Sequence, residues 1–223
     1  MRVASLFSGG KDSTYALYFA QQRGWEVTSL VTLLPSATDS RLYHVPNVHL
    51  APVLSECLEI PLVQKMAGVG EAEELQALRT ALGGIVADGV VMGTIASDYQ
   101  RARVDAICHD LGLRTFAPLW RRDQASLMED YLAAGFRIIV TGVAAEGLGV
   151  TWLGREIDEK AREQLLHLHK KHGLSICGEG GEYETLVVDG PNFRRRLKIL
   201  ESQVEWTGTS GTLNILKAEA VDK

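Results

Sequence analysis

Of 223 residues only three are cysteines, Cys57, Cys108 and Cys177, and no two of them form a CxxC pair. They are too few and too scattered for a disulfide framework, so buried thiols in a reducing compartment are expected. Nor is there an excess of positive charge. The 23 Lys and Arg stand against 28 Asp and Glu, a formal charge of -5 that argues against a nucleic-acid binder. Arg121-Arg122 and Arg194-Arg195-Arg196 are local basic exceptions. No apolar run approaches the length of a membrane span. Arg2 leads directly into a short apolar run ending at a glycine loop, which does not read as a targeting leader. A cytoplasmic protein with no membrane partner is expected. Low-complexity segments and internal repeats are also missing, as is a spaced GxxxxGK[ST] loop, so transfer of a γ-phosphate is not the natural inference.

What is present alternates. Val3–Phe7 predicts a buried strand that stops at two glycines. Thr14–Arg23 predicts a helix closed by Gly24, and Val27–Leu34, rich in β-branched residues, a second strand. Further helices are predicted at Ala51–Leu58, Glu71–Leu82 and Tyr99–Leu111, and further strands at Pro61–Gln64, Val90–Met92 and Thr115–Ala117. Such alternation implies parallel βαβ units, an α/β fold with a five-stranded Rossmann-like sheet and helices on both faces. Ligands of such sheets sit beyond the carboxyl ends of the strands. Past Pro118 the pattern changes to a smaller α+β subdomain, with helices at Gln124–Ala133 and Asp158–Lys171 and strands at Arg137–Thr141 and Thr185–Val188. Gly208-Thr209-Ser210-Gly211, between Lys198–Trp206 and Thr212–Ala218, reads as a hairpin. The division therefore falls at 1–119 and 120–223.

Ser8-Gly9-Gly10-Lys11-Asp12-Ser13 sits where the first strand feeds the first helix. Gly9 and Gly10 let backbone approach an anion, and the helix start offers free N–H groups and a positive dipole end. Ser8 and Ser13 add hydroxyls, Lys11 a cation, and Asp12 a carboxylate able to hold magnesium against phosphates. The plain alternative is a tight turn with a polar cap.

This loop resembles the pyrophosphate loop of the N-type ATP pyrophosphatases, which adenylate a substrate and release pyrophosphate. Other segments narrow the resemblance to the diphthine–ammonia ligase family: Tyr43-His44-Val45-Pro46-Asn47, the run Gly93 to Val104, Pro118-Leu119-Trp120, and Gly178-Glu179-Gly180-Gly181-Glu182-Tyr183-Glu184-Thr185. The loop motif is shared widely; the others together are specific, and Asp105 stands where glutamate is expected. The resemblance implies a HUP-type nucleotide domain in a short, archaeal-like form, with ATP and Mg2+ as cofactors. It implies translation elongation factor 2 as protein substrate and ammonium as nitrogen donor, no direct nucleic-acid partner, and room for a homo-oligomer.

It also assigns residues. Lys11, Asp12, Arg101, Arg103 and Glu182 are expected in catalysis, with Asp12 on the metal and Ser8 to Ser13 on the phosphates. Arg101 and Arg103 leave the first turn of their helix on different faces, where one or both would neutralise triphosphate; the plain reading is solvated arginines. Asp98 is expected to cap that helix. His44 and Asn47, Ser97, Asp98, Tyr99 and Gln100, and Glu179, Gly180, Gly181, Tyr183, Glu184 and Thr185 are expected at the substrate. Three carboxylates in six residues repel unless a cation sits among them, unless the run is simply a solvated turn. Tyr183 with Trp120 or Trp152 would offer an aromatic face to a trimethylammonium group. Cys177, beside glutamates, is expected to be inert. The rival readings are an ATP pyrophosphatase acting on RNA or a small carboxylate, and a non-catalytic adenine-nucleotide-binding module.

Overall fold

Val3-Ala4-Ser5 finds a pairing partner on either side. In the computed structural model, which describes residues 1–35 and 47–223, it lies in the central strand of a sheet. That strand, β1 (Arg2–Leu6), is joined by β2 (Glu26–Pro35), β3 (Leu62–Ala67), β4 (Gly89–Val91) and β5 (Arg114–Phe116) in the order β3-β2-β1-β4-β5, all parallel. Four helices alternate with them: α1 (Lys11–Gln22), α2 (Ala51–Leu58), α3 (Glu71–Gly83) and α4 (Asp98–Asp110).

Period-two alternation gives the sheet two apolar faces. Val3, Leu30 and Val91 pack with Leu17 and Ala20 of α1 and Leu54 and Cys57 of α2. Ala4, Val31 and Val90 pack with Leu78 and Leu82 of α3 and Val104 and Ile107 of α4. Because the chain builds outward from β1 to β3 and then returns to β4, the strand order reverses between β1 and β4, the place where such sheets open a ligand crevice.

A second, antiparallel sheet holds β6 (Arg137–Val143), β7 (Tyr183–Asp189), β8 (Arg195–Trp206) and β9 (Gly211–Asp222) in the order β7-β6-β9-β8, beside α5 (Gln124–Ala133) and α6 (Glu159–His172). Its apolar residues are continuous with the α1–α2 face of the first sheet, with Leu119 fully buried between the halves. Tyr15 of α1 packs on Tyr131 of α5 with ring centres 4.7 Å apart and the rings tilted by 58°, and both Tyr15 and Tyr18 meet Phe136. Helix α1 is therefore covered by strands on one side and by the second half on the other.

The elements expected from the sequence are present, with shifts at their ends. The consequential one is α1, which starts at Lys11 rather than Thr14. Gly10 takes the extended N-cap conformation and its carbonyl accepts from both the N–H and the hydroxyl of Thr14, so Lys11, Asp12 and Ser13 form the first helical turn. An aspartate there faces the positive end of the dipole. At α4 the capping side chain is Ser97, whose Oγ accepts from Gln100 N at 3.2 Å, and not Asp98, which is the first helical residue. Among the described residues no helix is long and apolar enough to cross a membrane.

Candidate functional site

The corner between β1 and α1 is tied from within and from behind. Gly9 has φ +81, a conformation that strains any side chain, and a Cβ on it would lie 2.6 Å from Leu54 Cδ1, which would have to shift. Its carbonyl accepts from Val187 N of β7 at 2.9 Å. Ser8 and Ser13 hydroxyls meet at 3.0 Å, and Ser8 Oγ accepts from Gly10 N. Lys11 N donates to Thr185 Oγ1 at 3.2 Å, so β7 satisfies one of the orphan donors of the helix start.

Lys11 itself turns inward. Its residue is 4% exposed, and Nζ donates to Asp12 Oδ2 at 2.8 Å and to the Cys177 carbonyl at 2.5 Å, 5.3 Å from the centre of the Tyr183 ring. Burial, the largest single influence, pushes this ammonium down, but the Asp12 carboxylate together with the Tyr183 and Cys177 side chains outweighs it, and Lys11 is held above the ordinary lysine range. The other oxygen of Asp12 accepts from Tyr131 OH at 2.8 Å. Glu184, beside this network, is pushed up to about 7 by burial and by the charges of Asp12 and Glu179, with Lys11 opposing. Glu179 is likewise raised, first by the protein packed around its carboxylate and then by Asp12, although Ala96 N donates to it at 3.0 Å.

In front of the corner lies a cavity of about 210 Å³ at the carboxyl ends of β1 and β4, beside Val31–Leu33 of β2. Its lining combines the apolar side chains of Leu6, Val31, Leu33, Leu75, Leu78 and Met92 with the polar ones of Ser8, Asp12, Ser13, Gln100, Arg103 and Glu179. Gly93 closes one side: a Cβ there would lie 2.6 Å from the Asp12 carbonyl carbon and Ser13 N, so only glycine lets β4 approach the loop. A cavity lined by both apolar side chains and a glycine corner at a helix start suits a flat heteroaromatic ring joined to phosphates.

Residues 1–115 match the family model described as the diphthamide synthase N-terminal domain, and residues 123–221 the diphthamide synthase C-terminal domain. The chain belongs to the diphthamide synthase family. Relatives named diphthine–ammonia ligase are 34% identical in Bos taurus, over 92% of this chain and 85% of the relative, and 35% identical in Schizosaccharomyces pombe, over 100% of this chain but only 40% of the relative. In Saccharomyces cerevisiae the identity is 32%, over 87% of this chain and 34% of the relative. The chain therefore spans well under half the length of the two fungal relatives. A solved structure of a predicted subunit of tRNA methyltransferase from Methanocaldococcus jannaschii superposes with a TM-score of 0.46 at 18% identity, over 86% of this chain and 98% of that one; a likeness of that size carries no weight.

Of the residues the sequence singled out in this diphthamide synthase chain, Ser8, Asp12, Ser13, Gln100, Arg103 and Glu179 come together on the cavity. Gly9, Gly10, Lys11 and Thr185 hold the corner behind it, so the expected phosphate-facing cation at Lys11 is instead a buried one, turned away by its bonds to Asp12 and Cys177. Arg101 leaves the opposite side of α4, stacks on Trp120 at 4.5 Å and pairs with Asp105. Arg103 stacks on Tyr99 and bonds Glu71 at 2.5 Å. Glu182 accepts from Ser175 N and Gly180 N and so braces its own turn, in which Gly181 adopts φ +81. Asn47 has both ends of its amide occupied by Leu213 O and Ile215 N of β9, which makes it a clamp rather than a substrate contact. Tyr183 is a core residue whose hydroxyl donates to Ile176 O, so the expected aromatic face with Trp120 or Trp152 does not form; Trp120 is covered by arginines and Trp152 is buried. Ser97 and Asp98 serve the start of α4, the latter 3.8 Å from Arg121. Cys177 is buried and pushed up to about 12 by that burial, as an inert thiol should be. His44 lies outside the described residues.

Sequence reasoning missed Tyr131, whose spacing with Leu127 and Met128 reads as core, and the apolar wall from α3, whose leucines read as an ordinary helix face. Gly93 carried a signal, a glycine directly after a buried strand.

Proposed function

We propose that this chain is an ATP-dependent amide ligase acting on the diphthine carboxylate of translation elongation factor 2 in the cytoplasm. The observation that carries the reading is the cavity, whose lining combines apolar side chains with the Ser8–Ser13 corner where the strand order reverses. Adenine packs on the apolar side chains, and the phosphates lie against Ser8, Ser13 and the free N–H groups of the α1 start. Arg103 and Gln100 line the same cavity from α4. Residues 1–119 handle the nucleotide, and residues 120–223 bring the protein substrate to it.

A carboxylate oxygen of diphthine attacks the α-phosphorus, and the α–β bridging oxygen leaves with pyrophosphate. Ammonia then attacks the acyl carbon, the carbon–oxygen bond to AMP breaks, and one proton is shed to give the amide. The corner stabilises charge as it develops on the departing pyrophosphate, from donors already oriented before the reaction. Glu179, which lines the cavity, and Glu184, beside Lys11 and Asp12, suit an incoming ammonium and a proton acceptor, the latter with a carboxyl near neutrality.

Among the described residues no group of three metal-ligating side chains exists, but Asp12 with the Ser8 and Ser13 hydroxyls is a hard oxygen set. That fits Mg2+, which binds through one or two carboxylates together with phosphate oxygens and water. When bound, Mg2+ offsets the charge of the triphosphate.

The test incubates the protein with ATP, ammonium and diphthine-bearing elongation factor 2. AMP release with the small mass decrease of carboxylate to amide at the modified histidine supports the ligase. ATP binding without AMP under those conditions overturns it in favour of a nucleotide-binding module.

A further inference from the structure

Tyr131 stands on α5 in helical register with Leu127 and Met128, both fully buried. Packing alone would be met by phenylalanine there, and a buried hydroxyl is costly unless it is bonded. Its one polar atom donates to Asp12 Oδ1 at 2.8 Å, across 119 residues of sequence. Lys11 Nζ donates to Asp12 Oδ2, also at 2.8 Å. A carboxylate on the first turn of a helix is otherwise free to rotate. Two donors on its two oxygens fix the plane of the group, and each oxygen keeps a further lone pair for a hard cation.

We propose that Tyr131 is a positioning residue: its hydroxyl, supplied by the C-terminal half, sets the orientation in which Asp12 meets the metal–triphosphate. The inference rests on the ATP-using reading above. It also gives the C-terminal half a part in the nucleotide chemistry, since the same half supplies the Cys177 carbonyl to Lys11 Nζ and the Thr185 hydroxyl to Lys11 N.

The test is Tyr131→Phe, which removes one oxygen and keeps the ring packed on Tyr15. Three quantities are measured: the thermal midpoint, ATP affinity in EDTA, and Mn2+ affinity of the protein–ATP complex followed by electron paramagnetic resonance. The variant is expected to fold and to bind ATP in EDTA as the parent does. Its Mn2+ affinity is expected to weaken about tenfold or more, as when an outer partner of a metal ligand is lost, with a matching rise in the Mg2+ needed for AMP formation. Tyr15→Phe removes a hydroxyl that faces Arg122 and Asp130 in the same aromatic cluster. Parental Mn2+ affinity in Tyr131→Phe, or equal weakening in Tyr15→Phe, overturns the proposal. A parent protein that forms no AMP sinks the ligase reading, while the Mn2+ titration still decides the role of Tyr131.

Discussion

The two glycine-rich segments, Ser8–Ser13 and Gly178–Thr185, use glycine for different ends. In the first, Gly9 lets the corner sink against Leu54 and Leu186, which turns Ser8, Asp12 and Ser13 toward the cavity. In the second, Gly178 and Gly181, with φ of +73 and +81, fold the chain back on itself, and Glu182 ties the fold through two backbone N–H groups. Three carboxylates within six residues thus part company: Glu179 reaches the cavity, Glu182 stays in its own turn, and Glu184 lies beside Lys11 and Asp12. The cation that an acidic run calls for is Lys11, contributed by the other segment. One segment presents ligands, and the other supplies most of the frame that orients them.

The largest expected effect breaks or sustains that division. Asp12→Asn should lower AMP formation about 10²–10³-fold, the scale of losing a preorganised charge-stabilising group. Glu182→Gln should lower it far less, because its oxygens are spent on the turn. Single-turnover AMP release measures both, and equal losses would mean that Glu182 acts on substrate after all.

Lys11→Met tests the frame itself. It leaves Asp12 with Tyr131 but without its cationic partner, and the Cys177 carbonyl without its donor, and hydrogen bonds to charged groups contribute about 1.5–3 kcal/mol each. A stability loss of that order in urea, together with reduced AMP formation, is expected. Unchanged stability with lost activity would restore Lys11 as a direct phosphate ligand.

A smaller effect appears in pH dependence. The Glu184 carboxyl sits at about 7 in the folded chain against an ordinary 4.5, so between those values the native state holds a proton that the unfolded chain has shed. Its contribution to stability is complete below about pH 4.5 and is lost as pH rises toward 7, by up to about 3 kcal/mol at 1.4 kcal/mol per unit. Glu184→Gln should flatten that slope in urea titrations across the same window; an unaltered slope would place the titrating group elsewhere.

Much of this was legible from the chain. The strand–helix alternation marked the sheet because its core residues obey two simple periods, and the Ser8–Ser13 corner announced itself because glycine, lysine and aspartate together are rare at a plain turn. Less legible was which way a side chain points. Lys11 reads as a surface cation until Thr185 and the Cys177 carbonyl, over 160 residues away, draw it inward. Asn47 reads as a polar contact until β9 arrives to occupy both ends of its amide. Tyr131 reads as core, and its hydroxyl acquires meaning only when α5 packs beside α1. Such roles depend on tertiary partners that local sequence does not encode.

The α4 arginines give the finest test, since the sequence treated them as a pair. Arg103 lines the cavity and is held by Tyr99 and Glu71, so it is presented to a ligand at little further ordering cost. Arg101 lies over Trp120, pairs with Asp105 at 3.5 Å, and its side chain is 37% exposed, where ion pairs are worth little. Arg103→Ala is therefore expected to raise the KM for ATP about tenfold, the consequence of losing one charge-assisted contact of about 1.4 kcal/mol. Arg101→Ala should shift KM by no more than about twofold, in keeping with the small worth of an exposed pair. A reversed order in initial-rate measurements would mean that ATP lies along the Trp120 side of α4, and that the corner at Ser8–Ser13 faces a different part of the reaction.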